Sequence, residues 1–343
     1  EKEQIDLIAW GHSQIFLPIF IVKVILQIAF YVFIQKRAYN CIIFGDALLS
    51  PLGLLFKKTT HIPVICIAHG LDISFKFFLY QKVIANSIKK LDLIICVSRY
   101  TKNQCLNRGV LDSKIKVIPN AVRLEKNFSL SSKEKFRKSL EKKGIFIPEN
   151  SKILLTVGRL IKRKGITEFI ENVFAILNKE DANLVYLIVG TGREKKRILD
   201  AVNKQQIKDR VFLLGKVNKE LLHYIYEFSD LFVMPNVSIE NNPEGFGIVA
   251  LEASINQVPV VAFDVDGISD AVKDGENGIL IKEKDNRGFA RAVSELLKDE
   301  KQRAELGRKA KVFVEKNYSW NVITDKYIKI LEGVVNPVRK GGA

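Results

Sequence analysis

The residues best suited to chemistry are two glutamates, Glu244 and Glu252, which lie on either side of a strand-to-helix transition. An apolar run at 231–234 is typical of a buried strand, and a helical period begins after a polar loop. The N–H groups at such a helix start have no partner within the helix and attract anions. Here they belong to Gly245, Phe246 and Gly247. Two carboxylates beside an anion-binding helix end indicate a ligand that has both hydroxyl groups and phosphate, as a nucleotide sugar does.

A second group of candidate residues is a cationic loop that follows another predicted strand. Arg159 and Lys164 lie between two glycines, Gly158 and Gly165, ahead of a predicted helix. A diphosphate bound there would gain positive charge and backbone donors together. The alternative is a solvated loop whose charges serve solubility, but the coincidence of charge with a helix start favours phosphate binding. No Gly-Lys-Ser/Thr follows, so the loop is not a Walker loop.

His69 is a weaker candidate, because a single histidine at the end of a strand is usually structural. It follows an apolar run and precedes Gly70 and Asp72. None of the four histidines lies in a cluster with cysteines, so the sequence predicts a mechanism without a bound metal. Either glutamate alone could likewise be a surface acid or a residue that the helix dipole favours. The two glutamates together, with the loop glycines between them, are much more specific.

The elements that must position these residues are strands, which short apolar runs predict. Such runs lie at 40–44, 63–68, 91–97, 116–118, 152–157, 183–189, 211–214, 231–234, 258–262 and 278–281. Continuous rather than alternating apolar runs, with helical patterns between them, indicate parallel sheets covered on both faces. Ligands of such sheets bind at the carboxyl ends of the strands, which is where both groups of candidate residues lie.

The length of the chain and a change of composition divide it into domains. Its 343 residues are long for one domain and sufficient for two. A polar, lysine-rich linker that includes a capping-box pattern at Ser131 separates the two halves. We therefore predict an α/β protein with two doubly wound, Rossmann-like domains that face each other across a cleft. The predicted domains are 1–123 and 124–317, followed by a helix and tail at 318–343.

The net charge limits the partners. It is +16, while 47% of the residues are hydrophobic and 27% are charged, which is typical of a globular protein. Excess Lys and Arg can serve nucleic acid, anionic lipid headgroups or a phosphorylated ligand. Zinc-finger spacing and arginine-rich runs with interleaved aromatics are absent from the sequence, so no nucleic-acid partner is expected. Three of the four cysteines lie within apolar runs, as reduced, buried thiols do, which favours the cytosol.

Residues 15–34 form an apolar stretch that is long enough to be considered for a membrane span. A polar residue recurs every fourth position, at Lys23, Gln27, Tyr31 and Gln35, which gives a helix one narrow polar stripe. Lys23 would lie near the middle of a span, where a charge is costly. We therefore favour a helix buried against a sheet over a helix that touches the membrane surface, and both over a true span.

The segment 244–252 resembles the EX7E motif of retaining glycosyltransferases, and it fits family 4 of the GT-B fold. Further segments that resemble this family lie along nearly the whole chain, at 118–122, 157–165, 212–215, 234–235, 260–264 and 277–280. The resemblance implies transfer from a UDP- or GDP-sugar as co-substrate, without a metal ion or another cofactor. It also implies that the last helix, after Trp320, crosses back to the first domain.

The resemblance further implies a donor site. Its residues are Gly158, Arg159, Lys164, Lys216, Val217, Glu244, Gly245, Phe246, Gly247 and Glu252. Arg159 and Lys164 would stabilise the diphosphate as it leaves, and Glu252 would hold the ribose hydroxyls. Glu244 would contact the transferred sugar together with the N–H groups of residues 245–247. The nucleobase would meet the backbone at 216–217.

The catalytic residues that the resemblance implies are His69, Arg159, Lys164 and Glu244. His69 would lie across the cleft near the sugar, on the acceptor side. Retention in such enzymes is usually ascribed to a front-face route, so we assign no protein nucleophile. The basic charge and the apolar stretch suggest a glycan or lipid-linked acceptor. They also suggest a cytoplasmic enzyme that is peripheral on the inner, anionic face of the membrane.

The sequence departs from the family pattern at three places. The strand, glycine-rich loop and helix with which the family normally opens are not recognised, so we expect an incomplete first domain. A frequent Gly-Gly pair is replaced by Asp266-Gly267, and a Pro-Ser by Pro235-Asn236. The alternative functions are a GT-B epimerase, a phosphorylase, which normally has pyridoxal phosphate and a longer chain, and a non-catalytic protein that binds nucleotide sugars.

Overall fold

The computed structural model describes residues 7–8, 17–75, 77–123, 133–181 and 183–335. These residues form two α/β units, each built on a parallel sheet. The predicted capping box at Ser131 and the predicted tail at 339–343 lie outside the described residues. The exact limits of the predicted domains, at 123 and 317, stay a prediction.

The first sheet contains four parallel strands in sequential order. They are β1 (Ile42–Phe44), β2 (Val64–Ala68), β3 (Leu93–Cys96) and β4 (Ile115–Val117). The helices around this sheet are α1 (Leu17–Ala29), which continues into a π-helical turn (Phe30–Ile34), α2 (Ser50–Thr60), α3 (Leu71–Ser74), α4 (Phe78–Ile88) and α5 (Arg99–Leu106). Each strand overlaps an apolar run, so the predicted strands of this half are confirmed.

The second sheet contains six parallel strands. They are β5 (Lys152–Val157), β6 (Leu184–Val189), β7 (Val211–Gly215), β8 (Leu231–Met234), β9 (Val260–Asp264) and β10 (Gly278–Lys282). Their order across the sheet is β10-β9-β8-β5-β6-β7. The chain therefore returns to the other side of β5 when it forms β8. Such a reversal of strand order leaves a crevice at the carboxyl ends of the two strands.

Helices cover both faces of the second sheet. They are α6 (Lys133–Glu141), α7 (Ile166–Phe169), α8 (Ala175–Glu180), α9 (Lys195–Lys204), α10 (Lys219–Glu227), α11 (Ile248–Ile255), α12 (Ile268–Ala271), α13 (Asn286–Lys298) and α14 (Glu300–Tyr318). Every residue of β6 and β8 is buried, which explains their continuous apolar runs. The polar Thr156 in β5 is tolerated because its hydroxyl bonds to the Val233 carbonyl and the Tyr186 hydroxyl, each at 2.7 Å.

The predicted apolar helix, α1, packs on the first domain with one face only. Phe20 and Val24 are buried in the core of the first sheet, which confirms a helix packed against a sheet for that face. The exposed face extends well beyond the predicted polar stripe, because Ile19 and Leu26 of α1 are each 64% exposed, and Ile34 of the π-helical turn that follows is 71% exposed. Among the described residues, no helix has both the length and the apolar character that crossing a membrane requires.

The last helix, α15 (Trp320–Val335), packs on the other face of the first sheet. Its buried Ile323 contacts a cluster that includes Ile65, Ile95 and Ile118. Right-handed crossovers between strands in sequential order place their helices on one face of a sheet. The second face is therefore left for α15, which joins the two domains.

Candidate active site

The candidate active site lies where the strand order of the second sheet reverses. β5 and β8 are paired neighbours, so the loops that follow them, 158–165 and 235–247, lie side by side. The loops approach so closely that a Cβ atom on Gly165 would lie 1.9 Å from the Pro235 carbonyl oxygen. Gly165 also has a φ of +60°, which other residues disfavour. The sheet topology thus brings the cationic loop next to the acidic one.

Glu244 lies at the centre of a buried network of charges. Its Oε2 atom is 2.6 Å from Lys164 Nζ and 3.4 Å from Arg163 Nε, and it accepts a hydrogen bond from Asn236 Nδ2 at 2.9 Å. The Lys164 and Arg163 side chains are 9% exposed and that of Glu244 is 12% exposed. Arg163 Nη1 also donates to Asn242 Oδ1 at 2.6 Å. Within the described residues no donor reaches the other oxygen, Oε1.

These contacts hold Glu244 as an anion. Burial raises the pKa of Glu244, but the charges and hydrogen bonds of Lys164 and Arg163 outweigh it, so its pKa lies below the ordinary 4.5. The neighbouring Asp266 behaves in the opposite way. Burial, together with the negative charges of Glu244 and Glu283, raises the pKa of Asp266 above the ordinary 3.8. One carboxyl group is thus matched by cations, and the one beside it is not.

The loop after β9 holds the backbone at Glu244 in place. The Glu244 N–H donates to Asp266 Oδ2 at 2.9 Å, and the Gly267 N–H donates to the Glu244 carbonyl at 3.0 Å. Gly267 has to be a glycine, because a Cβ atom there would lie 2.2 Å from the Gly245 carbonyl oxygen. The acidic loop is therefore fixed from two sides, by the loop after β5 and by the loop after β9.

The start of α11 presents free backbone donors next to Glu244. Gly247 precedes the helix with a φ of +91°. In the part of the chain that the structure describes, the N–H groups of Gly245, Phe246 and Gly247 donate to no protein acceptor. The buried ring of Phe246 packs 6.1 Å from that of Tyr318, centroid to centroid, and anchors the turn. These donors belong to the residues at which the sequence predicts anion binding.

Glu252 lies within α11 and is oriented by a buried tyrosine. Its Oε2 accepts a hydrogen bond from the Tyr226 hydroxyl at 2.8 Å. Tyr226 is 3% exposed. Burial and the negative charge of Glu252 raise the pKa of Tyr226 well above its ordinary value, so its hydroxyl stays protonated and donates.

The remaining residues of the predicted donor site lie at the ends of two strands of the second sheet. Gly158 and Arg159 follow β5, and Lys216 and Val217 follow β7, with β6 between them. The Arg159 and Lys216 side chains are exposed, and that of Arg159 forms no ion pair or hydrogen bond within the described residues. A Cβ atom on Gly190 would lie 1.8 Å from the Gly158 carbonyl oxygen, so these strand ends are tightly packed.

The first domain contributes His69, which follows β2. Its exposed ring has Nε2 2.9 Å from the Gly45 carbonyl, which can only accept, so Nε2 is the donor of this bond, and Nδ1 has no protein hydrogen bond among the described residues. A Cβ atom on Gly245 would lie 1.9 Å from the His69 carbonyl oxygen. The Arg99 N–H donates to Asp270 Oδ2 at 2.7 Å. The two domains therefore touch directly at the site.

Most of the predicted site residues fall into two groups. Lys164, Glu244 and residues 245–247 form one cluster, which His69 touches through its backbone. The side chains of Arg159, Lys216 and Val217 form no hydrogen bond or ion pair with that cluster among the described residues. No group of three or more His, Cys, Asp or Glu side chains in this part of the chain is placed to hold a metal ion.

Four residues that bond to the two glutamates were not predicted from the sequence. They are Arg163, Asn236, Asp266 and Tyr226. Arg163 could not be predicted because the sequence of a cationic loop does not show which of its side chains is buried. Asn236 and Asp266 stood out only as departures from the family pattern, and no motif marks Tyr226.

Comparison with known proteins covers both halves of the chain. The profile of the family described as Glycosyl transferases group 1 matches residues 137–313, which include the whole candidate donor site. A second profile, Glycosyltransferase Family 4, matches residues 2–126.

Individual relatives agree with the profiles. The chain is 32% identical, over 69% of its length, to an uncharacterised glycosyltransferase of Methanocaldococcus jannaschii, of which it covers 59%. It is 28% identical, over 72% of its length, to the capsular polysaccharide biosynthesis glycosyltransferase CapM of Staphylococcus aureus, of which it covers 62%. The chain thus spans about three fifths of both relatives. Anabaena HepE, solved in complex with UDP, superposes with a TM-score of 0.74 at 20% identity, over 92% of this chain and 82% of that one.

Proposed function

The chain belongs to the family of glycosyl transferases group 1, and we propose that it moves a hexosyl or N-acetylhexosaminyl group from a nucleoside diphosphate sugar to an alcohol acceptor. Its two parallel-sheet domains have the GT-B fold, as the sequence predicted. The proposal includes retention of the anomeric configuration and independence from metal ions.

The observation that supports this proposal most directly is the buried carboxylate of Glu244. Lys164 and Arg163 hold it ionised, while its Oε1 has no donor among the described residues. The N–H groups of residues 245–247, which have no acceptor among the described residues, follow it directly. An ionised, oriented carboxylate accepts hydrogen bonds from sugar hydroxyls, and cations with backbone donors bind phosphate. A nucleotide sugar presents these two chemistries next to each other.

We assign the diphosphate to Arg159 and Lys164. Lys164 is fixed by its 2.6 Å contact with Glu244, whereas the exposed Arg159 guanidinium has no partner in the described residues and is available to a ligand. Both cations and the start of α11 would stabilise the negative charge that develops on the departing nucleoside diphosphate. In other transferases a divalent cation provides this positive charge. Because Arg159, Lys164 and the start of α11 would provide it here, we propose that no metal ion is needed.

The proposed transfer exchanges one bond at the anomeric carbon for another. The bond to the diphosphate oxygen breaks, and the acceptor oxygen bonds on the same face while its proton passes to the departing phosphate. His69 lies across the cleft, where its free Nδ1 could accept a bond from a sugar hydroxyl. Glu252, oriented by Tyr226, would hold the ribose. The nucleobase would meet the backbone at 216–217.

We propose that the acceptor is a glycan or a lipid-linked alcohol at the cytoplasmic, anionic face of a membrane. The net charge of +16 favours anionic surfaces. On α1 the exposed Ile19 and Leu26 lie beside the exposed Lys23, and Phe77 and Phe78 are 57% and 77% exposed at the start of α4. Apolar side chains with flanking cations suit the membrane interface. Cys66, Cys96 and Cys105 are buried thiols that form no disulfide, which fits a reducing compartment.

A donor panel tests the proposed activity. UDP-glucose, UDP-N-acetylglucosamine and GDP-mannose are compared by thermal shift and by release of nucleoside diphosphate, with and without alcohol acceptors and with EDTA present. We expect one nucleotide series to raise the melting temperature. Release of nucleoside diphosphate should depend on an acceptor and should continue in the presence of EDTA. Consumption of the donor without any acceptor would instead indicate an epimerase, and binding without release a non-catalytic protein.

A further inference from the structure

Asp266 is a second carboxylate at the sugar side of the site, and the reaction described above leaves it without a role. We infer that Asp266 is a specificity residue that selects donors with an uncharged sugar and excludes donors with a uronic acid. This inference rests on the proposed function, because it takes residues 244–247 to be the sugar-binding part of the site. It adds a substrate class, namely hydroxyl-bearing, uncharged hexosyl donors.

One oxygen of Asp266 contacts the protein, and the other has no partner in the part of the chain that the structure describes. Oδ2 accepts the Glu244 N–H at 2.9 Å. Within the described residues, Oδ1 receives no hydrogen bond and no cation forms an ion pair with the side chain. Glu244 is similar, since three donors of the described chain reach its Oε2 and none reaches its Oε1. Glu244 and Asp266 thus each have one oxygen that can accept a hydrogen bond from a ligand.

The fold does not require a carboxylate at this position. Asp266 has a φ of +51°, a conformation in which glycine would be under less strain. The next residue, Gly267, already holds the acidic loop through its own hydrogen bond to the Glu244 carbonyl at 3.0 Å. The loop therefore has a backbone contact that does not depend on the Asp266 side chain, and that side chain is free to have a role toward a ligand.

The position of Asp266 is on the side of the loop that faces the first domain. The neighbouring Tyr100 of α5 has a raised pKa, caused by burial and then by the negative charge of Asp266. One turn further along the chain, Asp270 accepts the Arg99 N–H at 2.7 Å. Asp266 therefore lies near both Glu244 and Tyr100 of the first domain, at the edge of the cleft where the transferred sugar would meet its acceptor.

The negative charge of Asp266 is the physical basis of the inferred selection against donors with a uronic acid. Lys164 and Arg163 neutralise Glu244, but Asp266 has no ion pair among the described residues. The Asp266 carboxylate can accept a hydrogen bond from a hydroxyl group of the sugar, but it would repel a carboxylate of the sugar in the same place. The carboxylate of a uronic acid would add such a like charge, and the hydroxymethyl group of a hexose would not.

The experiment compares UDP-glucose with UDP-glucuronate on the parent chain and on two variants, Asp266→Asn and Asp266→Gly. Asn keeps an acceptor for the Glu244 N–H and removes the charge, while Gly suits the positive φ. Asp264→Asn is the matched control, since Asp264 is an exposed carboxylate at the end of β9. The dissociation constant of each donor is measured by calorimetry, and kcat/KM is measured by release of UDP.

In the parent chain we expect the dissociation constant of UDP-glucuronate to exceed that of UDP-glucose by about a hundredfold or more. Both Asp266 variants should reduce this ratio roughly tenfold, chiefly by better binding of UDP-glucuronate, and Asp264→Asn should leave it unchanged. An equal ratio in parent and variants, with unchanged melting temperatures, would overturn the inference. Calorimetry keeps the two proposals apart: binding with the expected ratios but no UDP release contradicts the transferase activity alone. Absence of binding by both UDP-sugars contradicts the specificity inference, and it contradicts the proposed function as well only if GDP-mannose also fails to bind.

Discussion

The two sides of the cleft differ in how their functional groups are held. On the second domain, Lys164, Arg163 and Glu244 are about 90% buried and bonded to one another. On the first domain, the His69 ring is exposed and has one hydrogen bond, to a backbone carbonyl. The proposed donor side is thus held by buried contacts between its side chains, whereas the candidate side chain on the facing side is exposed.

Physical chemistry accounts for this difference. A buried carboxylate is costly unless it is paired and hydrogen-bonded, so the donor side needs its full set of partners before any ligand binds. A pre-arranged set of charges also stabilises developing charge without reorganisation. Exposed side chains have no such requirement and can vary with the acceptor. If this contrast is correct, changes on the donor side should have larger effects than changes across the cleft.

The largest effect is expected for Lys164→Ala. This change removes a cation from the leaving group and from Glu244, so nucleoside diphosphate release should fall about 10²–10³-fold, the range seen when a preorganised charge donor is lost. Lys162→Ala is the matched control, because Lys162 lies on the same turn but is exposed. Turnover with the best donor measures the effect, and equal activity of the two variants would remove Lys164 from the site.

A smaller effect is expected for Glu252→Gln. Gln keeps the size of the side chain but weakens a charge-assisted bond to a hydroxyl group, which is worth about 1.5–3 kcal/mol. The KM for the donor should therefore rise roughly 10–100-fold, while a donor analogue without the ribose hydroxyls should bind parent and variant alike. Glu295→Gln, an exposed change on α13, serves as the control. A loss of kcat at unchanged KM would contradict a role in ribose binding.

Across the cleft, His69→Ala should cost about tenfold in kcat, which corresponds to one hydrogen bond. Donor affinity, measured by calorimetry, should stay near the parent value because the donor side is complete without the ring. His61→Asn is a suitable control, since His61 is an exposed helix C-cap with a φ of +59°, which Asn tolerates. A loss as large as that of Lys164→Ala would break the contrast between the two sides.

The smallest effect concerns stability against acid. The pKa of Glu244 is lowered below 4.5 on folding, so its ionised form stabilises the fold above that pH, and the contribution is lost as the pH falls through the folded pKa. The melting temperature of Glu244→Gln should be below that of the parent at pH 7, and the difference should shrink below about pH 4.5. Glu134→Gln is the exposed counterpart, because its pair with Lys138 lies on the surface and is screened by salt. A gap between Glu244→Gln and the parent that does not depend on pH would contradict the assigned ionisation.

Much of the fold was predictable because parallel strands buried on both faces leave continuous apolar runs. The runs at 152–157 and 231–234 correspond to β5 and β8 without a shift. The polar stripe on α1 was less informative. A stripe of four polar residues defines one face of a helix, but how much of the remaining apolar surface is buried depends on the sheet beneath it. The exposed Ile19 and Leu26 could therefore not be predicted from periodicity alone.

At Glu244 and Glu252, the sequence by itself determined the residue types, the glycine-rich turn and the helix start, since these follow from local spacing. The sheet topology decided which partners meet them. β8 pairs with β5, so Lys164 and Arg163 reach Glu244 across more than 70 residues of chain. β9 follows as the next neighbour and brings Asp266 to the Glu244 backbone. Local patterns can be read from the sequence. Distant strands, however, could pair in many orders, and only the packing of the whole molecule determines which order forms.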